Sequence, residues 1–403
     1  MSAVPKRPAR SFAGVDLAEA KRRAESLIPK IRALAPKQEE ARRLIPDMMD
    51  LLHEQGLYRM LQPKRWGGME LPFPAIFEVP ELIGRGDSST AWNLGNLGIH
   101  HWMLALFDPK LQEEVWGENP DELIASGIAY PQGRARRVDG GIVLSGYWNF
   151  SSGVDPSGWN QLACIVRDGD KVVDHRMCMV KAGEYEVIDD WQVLGMRGTG
   201  SKSVKIEELF LPEYRSISMY QARGGGDFPG AKANPNPSYR VPLGGIGTSC
   251  LSGAVIGNAQ AAVDLTVESV KERSTNYTGM RMRDFQTVQL RIGVAAAKVD
   301  FARQAQVADT WEAQRIAEAG QVPPMDTKLR WRRNHALAAK LATEAVDTLH
   351  EMAGANGIYT KYPLERLFRD AHAAVSHIGF NWDAGMATWG LVALGGEVQN
   401  PTM

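Results

Sequence analysis

Apolar positions recur at helical spacing over residues 15–60, where Ala18, Ala20, Leu27, Ile28, Ile31 and Leu34 are separated by charged residues. "PDMMDLLHEQGLYRML" predicts a further helix closed by Gly56. After the loop "PKRWGGME", the segments "AIFEVPELIGRG" and "STAWNLGNLGIHHWMLALF" predict two more apolar helices, so residues 1–121 read as a helical domain. From residue 122 the period changes. Short β-branched or alternating runs ("LIASGIAYPQGRARRVDGGIVLSGYWNFSSG", "QLACIVRDGDKVVDHRMCMV", "YEVIDDW", "SVKIEELFLP") are broken by Gly, Pro and Asp-Gly. They predict an antiparallel barrel or sandwich over 122–230. "ARGGGDFPGAKANPNPSYRVP" marks a boundary loop. Helical periodicity then returns over 231–403 in three long Ala-rich stretches. In the last, Leu337, Leu341, Ala345 and Leu349 form an i, i+4 stripe before Gly354. Small residues permit close antiparallel packing, which predicts a four-helix bundle. The fold class is α+β in the order helices, sheet, helices.

Composition narrows the function. Forty-six Lys and Arg against 47 Asp and Glu leave a net charge of -1, which gives no electrostatic case for nucleic acid or an anionic membrane. No uninterrupted apolar run approaches the roughly 20 residues that span a bilayer. The start, "MSAVPKRPARSFAG", is basic without a hydrophobic core and reads as a short disordered tail. Cys164, Cys178 and Cys250 lack CxxC spacing, as expected of reduced thiols in a cytoplasmic protein. The 8 histidines show no metal-binding spacing, so no metal site is expected.

Candidate chemistry is sparse at the level of single motifs. No strand runs into GxGxxG, no GxxxxGK[ST] occurs, and "RGGGDFPG" runs into Pro and Asn as a linker would. "SGYWNFSSGVDPSGW" brings a strand into a turn carrying Ser151 and Ser152 between Phe150 and Trp159. Such hydroxyls close turns or hold a flat ligand. "WQVLGMRGTGS" places Trp191, Arg197, Thr199 and Ser201 around exposed N–H groups. That turn can hold a phosphate or ribityl chain, or serve as a plain glycine turn. His100 and His101 diverge by about 100° on a helix, so at most one faces a given pocket. His372 and His377 also face different directions, in a segment whose helix starts at Pro363.

Together, "RWGG", "GYWNFSSG", "LGMRGTGS", "ERSTNYTGMRMRDFQTVQ" and "GANGIYTKYPLERLFRD" resemble the acyl-CoA dehydrogenase fold across nearly the whole chain. That resemblance implies a flavin between the β domain and the helical bundle, and a homotetramer. It places Ser152 at flavin N5 with Phe150 beside it, and Trp191, Arg197, Thr199 and Ser201 on a turn lining the same flavin. The dehydrogenases carry a catalytic Glu after the "LERLFRD" helix. Here "AHAAVSHIGFNWD" has no carboxylate before Asp383, and "GGIGTSCLSGAVIGNAQ" supplies no substitute, so proton abstraction α to a thioester lacks its base. An acyl-CoA dehydrogenase or oxidase with a displaced base is the rival reading.

"STAWNLGNLGIHHWMLALFDPKLQEEVWGE", "FSSG", "YRVPLG" and "ALGGEVQNPTM" resemble another branch of the fold, the oxygenase components of two-component flavin-dependent aromatic monooxygenases, of the p-hydroxyphenylacetate 3-hydroxylase type. The likeness implies that His100 and Ser126 line the substrate pocket and that Arg240 sits near flavin and substrate. His377 would lie near the reacting edge, with His377 or His100 drawing the proton from a phenol or indole nitrogen. Phe150, Trp148 and Trp159 would wall off water. Pro156 stands where some relatives carry His. The implied reaction uses FADH2 or FMNH2 from a separate flavin reductase and dioxygen, through a flavin C4a-hydroperoxide. Arg273 and Gln286 resemble positions that contact the adenosine half of FAD across a subunit interface, which favours FAD slightly. Oxidation of sulfur or nitrogen in place of carbon is a further alternative.

Overall fold

In the computed structural model, residues 10–275 and 278–398 are described. Residues 1–9 of the expected N-terminal tail, positions 276–277 of "ERSTNYTGM" and the last five residues of "ALGGEVQNPTM" lie outside them. The chain opens with α1 (Leu17–Ala41), α2 (Pro46–Glu54), α3 (Ala75–Gly84), α4 (Ser88–Leu104) and α5 (Pro109–Trp116). Helix α1 starts where Asp16 accepts the Glu19 N–H at 2.8 Å, and the residue after α2's cap, Gly56, takes φ 71°. Helix α4 is buried along its whole length, which explains why its sequence shows little amphipathic alternation.

An eight-stranded sheet follows: β1 (Ile124–Gly127), β2 (Gly133–Val138), β3 (Gly141–Ser151), β4 (Trp159–Asp168), β5 (Lys171–Lys181), β6 (Glu186–Ile188), β7 (Lys202–Pro212) and β8 (Ser216–Ser218). Its order is β6-β7-β3-β2-β4-β5-β8, with β1 added on β4. The expected purely antiparallel arrangement is corrected. The β1–β4 and β2–β4 pairs are parallel, because β4 follows β3 in sequence yet lies beside β2.

A short kinked turn, α6 (Leu243–Ile246), leads into α7 (Ser249–Glu272), α8 (Gln286–Glu318), α9 (Met325–Ala353), α10 (Pro363–Ala374) and α11 (Trp382–Ala393). Helices α7 to α10 pack as the bundle, and α11 lies on α9. The segment Leu243–Glu272 is long and apolar enough to cross a membrane by length and composition. Its most apolar 18 residues are 78% buried inside the protein, as those of a core helix are. Its small residues permit that burial: a Cβ on Gly257 would lie 2.3 Å from the Glu81 carbonyl oxygen of α3. The expected stripe on α9 is corrected by one position. Leu337 is exposed, whereas Ala338, Ala342, Ala345 and Leu349 are buried, because the close approach of α8 and α7 selects the smaller face.

Candidate active site

Strand β3 delivers the two adjacent serines to opposite sides. Ser151 is buried and accepts the Asn160 Nδ2–H at 3.0 Å, closing the strand. Ser152 points into the seam toward α4. Its Oγ lies 2.7 Å from Ser201 Oγ and accepts the Trp92 Nε1–H at 3.1 Å. Beyond it, Ser201 Oγ lies 2.6 Å from Thr199 Oγ1, which donates to the Met196 carbonyl at 2.9 Å. Gly153 makes this approach possible. It takes φ 71°, and a Cβ there would meet Asn93 Oδ1 and Leu97 at 3.1 Å. Phe150 is 55% exposed and stands edge-on to Trp191 at 5.2 Å. In the 3-10 turn Arg197–Thr199, the Arg197 Nε is buried without a partner.

Helix α10 holds this turn from behind. Arg369 Nη1 donates to the Leu194 carbonyl at 2.9 Å, and Asp370 Oδ1 accepts the Met196 N–H at 2.6 Å. Between them, a Cβ on Gly195 would lie 2.3 Å from the Arg369 carbonyl oxygen. Met196 itself holds φ 56°, a left-handed conformation uncommon outside glycine, fixed by these contacts. Burial, reinforced by Asp87, pushes the Asp370 pKa up to about 7.

The two histidines differ in tautomer. His100 is sealed, and its Nδ1 lies 2.5 Å from the Ile124 carbonyl. A carbonyl only accepts, so Nδ1 carries the proton and Nε2 is a bare, buried acceptor without a partner. Burial drives its pKa down to about 4, which keeps it neutral at pH 7. His377 reverses this assignment. Its Nδ1 accepts the Gly379 N–H at 3.1 Å, so the neutral ring carries its proton on Nε2. The ring is solvent-accessible and stands edge-on to Trp92 at 5.6 Å. Surrounding protein lowers its pKa to about 4, so it too is neutral at pH 7.

Ser126 on β1 is buried and registers directly against Gln161 on β4, so both project from one face of this parallel pair. Both amide atoms of Gln161 are buried without partners. Arg240 ends a 3-10 turn, Pro237–Arg240, anchored by Trp102 Nε1 donating to Ser238 O at 2.7 Å. Three glycines at positive φ, Gly224 to Gly226, precede it, and a Cβ on Gly226 would lie 3.4 Å from Arg240 Nε. A cleft of about 560 Å³ lies elsewhere, against Asp108, Arg176 and Tyr214, and contains none of these groups.

The C-terminal domain family of the acyl-CoA dehydrogenases matches residues 249–382. The chain is 34% identical to the oxygenase subunit HsaA of a flavin-dependent monooxygenase from Rhodococcus jostii, over 88% of this chain and 93% of that one. It is 33% identical to the oxygenase component of p-hydroxyphenylacetate 3-hydroxylase from Acinetobacter baumannii, over 94% and 89% of the two chains. The chain belongs to the flavin-dependent monooxygenase oxygenase components. The crystal structure of the HsaA monooxygenase from Mycobacterium tuberculosis superposes with a TM-score of 0.91 at 30% identity, covering 96% of this chain and all of that one.

The oxygenase brings together Ser152, Ser201, Thr199 and His377 through Trp92, with His100 on the same helix eight residues on. It does not bring Arg273 and Gln286 to them within one chain. Arg273 caps the far end of α7, roughly 35 Å along the helix from Cys250, and Gln286 is exposed at the start of α8. Two expected walls are also corrected. Trp148 is buried and donates to the Ala163 carbonyl at 2.8 Å, and Trp159 is buried beneath Arg215. A register irregularity between Trp148 and Ser151 separates their directions. Trp92 and Phe380 supply the apolar contacts beside His377 instead. Trp92, Gln161 and Asp370 went unseen in the sequence, since an indole in an apolar helix and lone polar residues carry no spacing signal.

The donor set suits a flavin. The Ser152, Ser201 and Thr199 hydroxyls form one hydrogen-bonded chain, and the Phe150–Trp191 ring pair and the unpartnered Arg197 Nε belong to the same two segments, 150–152 and 191–201. None of the hydrogen bonds or ring contacts among the described residues that involve Ser152, Trp92 or His377 includes a carboxylate.

Proposed function

We propose that this oxygenase hydroxylates a phenol- or indole-type aromatic with reduced flavin delivered by a separate flavin reductase, FAD being favoured over FMN. The observation that carries the reading is the pair of opposite tautomers. His100 offers a buried acceptor at Nε2, and His377 offers a donor at Nε2, with no carboxylate among the hydrogen-bond or ring partners of Ser152, Trp92 or His377 in the described residues. Reduced flavin, when bound, supplies the electrons that activate dioxygen for transfer of one oxygen atom. Ser152 would hold the flavin at N5, with Phe150, Trp191, Arg197, Thr199 and Ser201 around it.

The chain's own groups then have distinct tasks. His100 Nε2 accepts the proton of the substrate O–H or N–H, which leaves the ring more electron-rich at the carbon to be hydroxylated. Base assistance of this kind is typically worth about 10² to 10⁴ in rate. Ser126 and Gln161 bind the polar substituent, and Arg240 binds near it. His377 donates from Nε2 beside the Trp92 and Phe380 rings. That p-hydroxyphenylacetate is the named substrate of one relative supports a phenol.

We further propose a homotetramer in which Arg273 and Gln286 of one subunit reach the adenosine half of a neighbour's FAD. Phe301 and Leu290 on α8, 67% and 66% exposed, and Leu394 after α11, at 90%, supply an apolar surface suited to a second copy.

The test is anaerobic titration with reduced FAD and reduced FMN, then mixing with dioxygen and a panel of phenols, indoles and aryl sulfides. A hydroxylated phenol or indole is expected. Hydrogen peroxide alone with every aromatic would overturn the reading, as would purification with tightly held FAD that an acyl-CoA bleaches.

A further inference from the structure

Helix α10 meets the candidate site twice. Near its end, Asp370 Oδ1 accepts the Met196 N–H at 2.6 Å. Seven residues on, the His377 N–H donates to the Ala374 carbonyl at 3.2 Å, which ties the histidine to the last turn of the same helix. Between these two points the contacts run through the site. Thr199 Oγ1 donates to the Met196 carbonyl at 2.9 Å and lies 2.6 Å from Ser201 Oγ. Ser201 Oγ lies 2.7 Å from Ser152 Oγ. Ser152 accepts the Trp92 indole N–H at 3.1 Å, and Trp92 stands edge-on to His377 at 5.6 Å. The circuit begins and ends on α10.

The helix is fixed independently of that circuit. Buried Asn258 of α7 donates to its Leu367 carbonyl at 2.8 Å, and Arg369 is held by Glu365 at 2.9 Å and by Glu39 of α1 at 2.6 Å. The turn is held from outside. Met196 keeps φ 56°, a conformation that persists only where the surroundings impose it. Asp370 takes its N–H, the Ser88 hydroxyl lies 3.3 Å from its sulfur, and Arg369 donates to the Leu194 carbonyl at 2.9 Å. At Gly195 the turn and the helix touch so closely that a Cβ would lie 2.3 Å from the Arg369 carbonyl oxygen.

Given the reading that Ser152 faces the flavin and His377 the reacting edge, we infer that Asp370 is a positioning residue, which by holding Met196 sets the flavin turn in register with His377. It acts through Met196. Without that acceptor the turn shifts relative to α10, while His377 stays with the helix, so the two halves of the site lose their alignment. Transfer of an oxygen atom to a ring carbon depends on that alignment, and a misplacement of about 1 Å costs up to about 10²-fold. Release of hydrogen peroxide makes no such demand. The signature of the role is therefore a changed partition, with less hydroxylated product and more hydrogen peroxide for each reduced flavin consumed.

The test is a set of single turnovers with the oxygenase in excess over reduced FAD, mixed with dioxygen and a phenol, counting product and hydrogen peroxide per flavin. The dissociation constant of reduced FAD is measured alongside, anaerobically, by tryptophan quenching. Asp370→Leu removes the acceptor, and Asp370→Ser, whose oxygen stops short of Met196, serves should the leucine variant fold poorly. Both are expected to lower product per flavin by roughly threefold or more and to weaken reduced FAD by roughly two- to tenfold, the loss of one hydrogen bond. Asp370→Asn keeps an acceptor and is expected to keep both values. Gly195→Ala forces the same joint apart from the side of the turn. It is expected to reproduce the leucine pattern, and the double variant to do no worse than the poorer single one, because both break one contact. Unchanged partition and affinity in a folded leucine or serine variant overturn the role, as does an asparagine variant impaired as much as the leucine one. A parent that binds reduced FAD yet hydroxylates no phenol or indole overturns the monooxygenase reading instead, and the FAD affinities across the series then still decide whether Asp370 sets the turn.

Discussion

At the scale of single residues, the site works through atoms whose protons are assigned by their partners. Ser152→Ala removes the hydroxyl placed at flavin N5. It is expected to weaken reduced flavin no more than severalfold, the loss of one hydrogen bond, while raising hydrogen peroxide released per product, measured as coupling of product to dioxygen. Equal coupling in both proteins would remove Ser152 from the mechanism. His100→Gln is expected to lower hydroxylation by about 10² or more. For the parent, the acid limb of kcat/KM is expected near pH 4, because sealed His100 becomes protonated only there. Gln161→Leu has two opposed outcomes that can be read separately. Its unpartnered amide carries a burial penalty of about 1–3 kcal/mol, so the variant is expected to melt higher while its KM for a phenol rises. A higher melting temperature with unchanged KM would assign Gln161 to the fold alone. Ser152, His100 and His377 were legible because they stand in motifs with neighbours of known kind. Gln161 was not, because its role comes from lying across a parallel ladder from Ser126, a pairing of residues 35 apart that no local pattern encodes.

Helices α1, α4 and α10 converge on the Leu194–Gly200 turn, and each contributes an acid or its counter-charge. Asp370 faces the Met196 N–H from α10, with Asp87 at the start of α4, Glu39 on α1 and Arg366 on its own helix nearby. The Asp370 pKa is raised from 3.8 to about 7, so the folded state prefers the protonated acid. Its contribution to stability is therefore fully favourable below pH 4 and is lost as pH rises through 7. Asp370→Asn keeps an acceptor for Met196 without the charge. It is expected to be more stable than the parent at pH 8, by an amount on the order of a few kcal/mol, with the gap closing as pH falls from 7 to 4. A gap independent of pH in denaturant titrations would contradict this account. Element positions were readable where period and punctuation agree, as at Gly56 and Pro363. Two features were not. The parallel pairings of β4 depend on a strand crossing that no local alternation reports. The buried face of α9 is set by how closely α7 and α8 approach, which favours Ala338 and Ala342 over the larger Leu337.

For the whole molecule, the order helices, sheet, helices was legible from the change of period near residues 122 and 231, and the seam between these parts is where the polar groups gather. The outward faces of α8 and the segment after α11 leave apolar side chains in solvent in a single chain, a state that self-association would relieve. Phe301→Glu is expected to dissociate the proposed homotetramer, measured by light scattering, and to weaken reduced FAD more than reduced FMN if a neighbour contacts the adenosine half. Equal weakening of both flavins would place Arg273 and Gln286 outside the cofactor site. The central claim is that this seam transfers one atom of dioxygen to an aromatic ring. It is tested most directly by a single turnover: the oxygenase with reduced FAD, mixed with ¹⁸O2 and a phenol, the product examined by mass spectrometry. One ¹⁸O atom in a newly hydroxylated ring is the predicted result. Unlabelled product, or all of the label recovered as hydrogen peroxide with every phenol and indole tried, would contradict it.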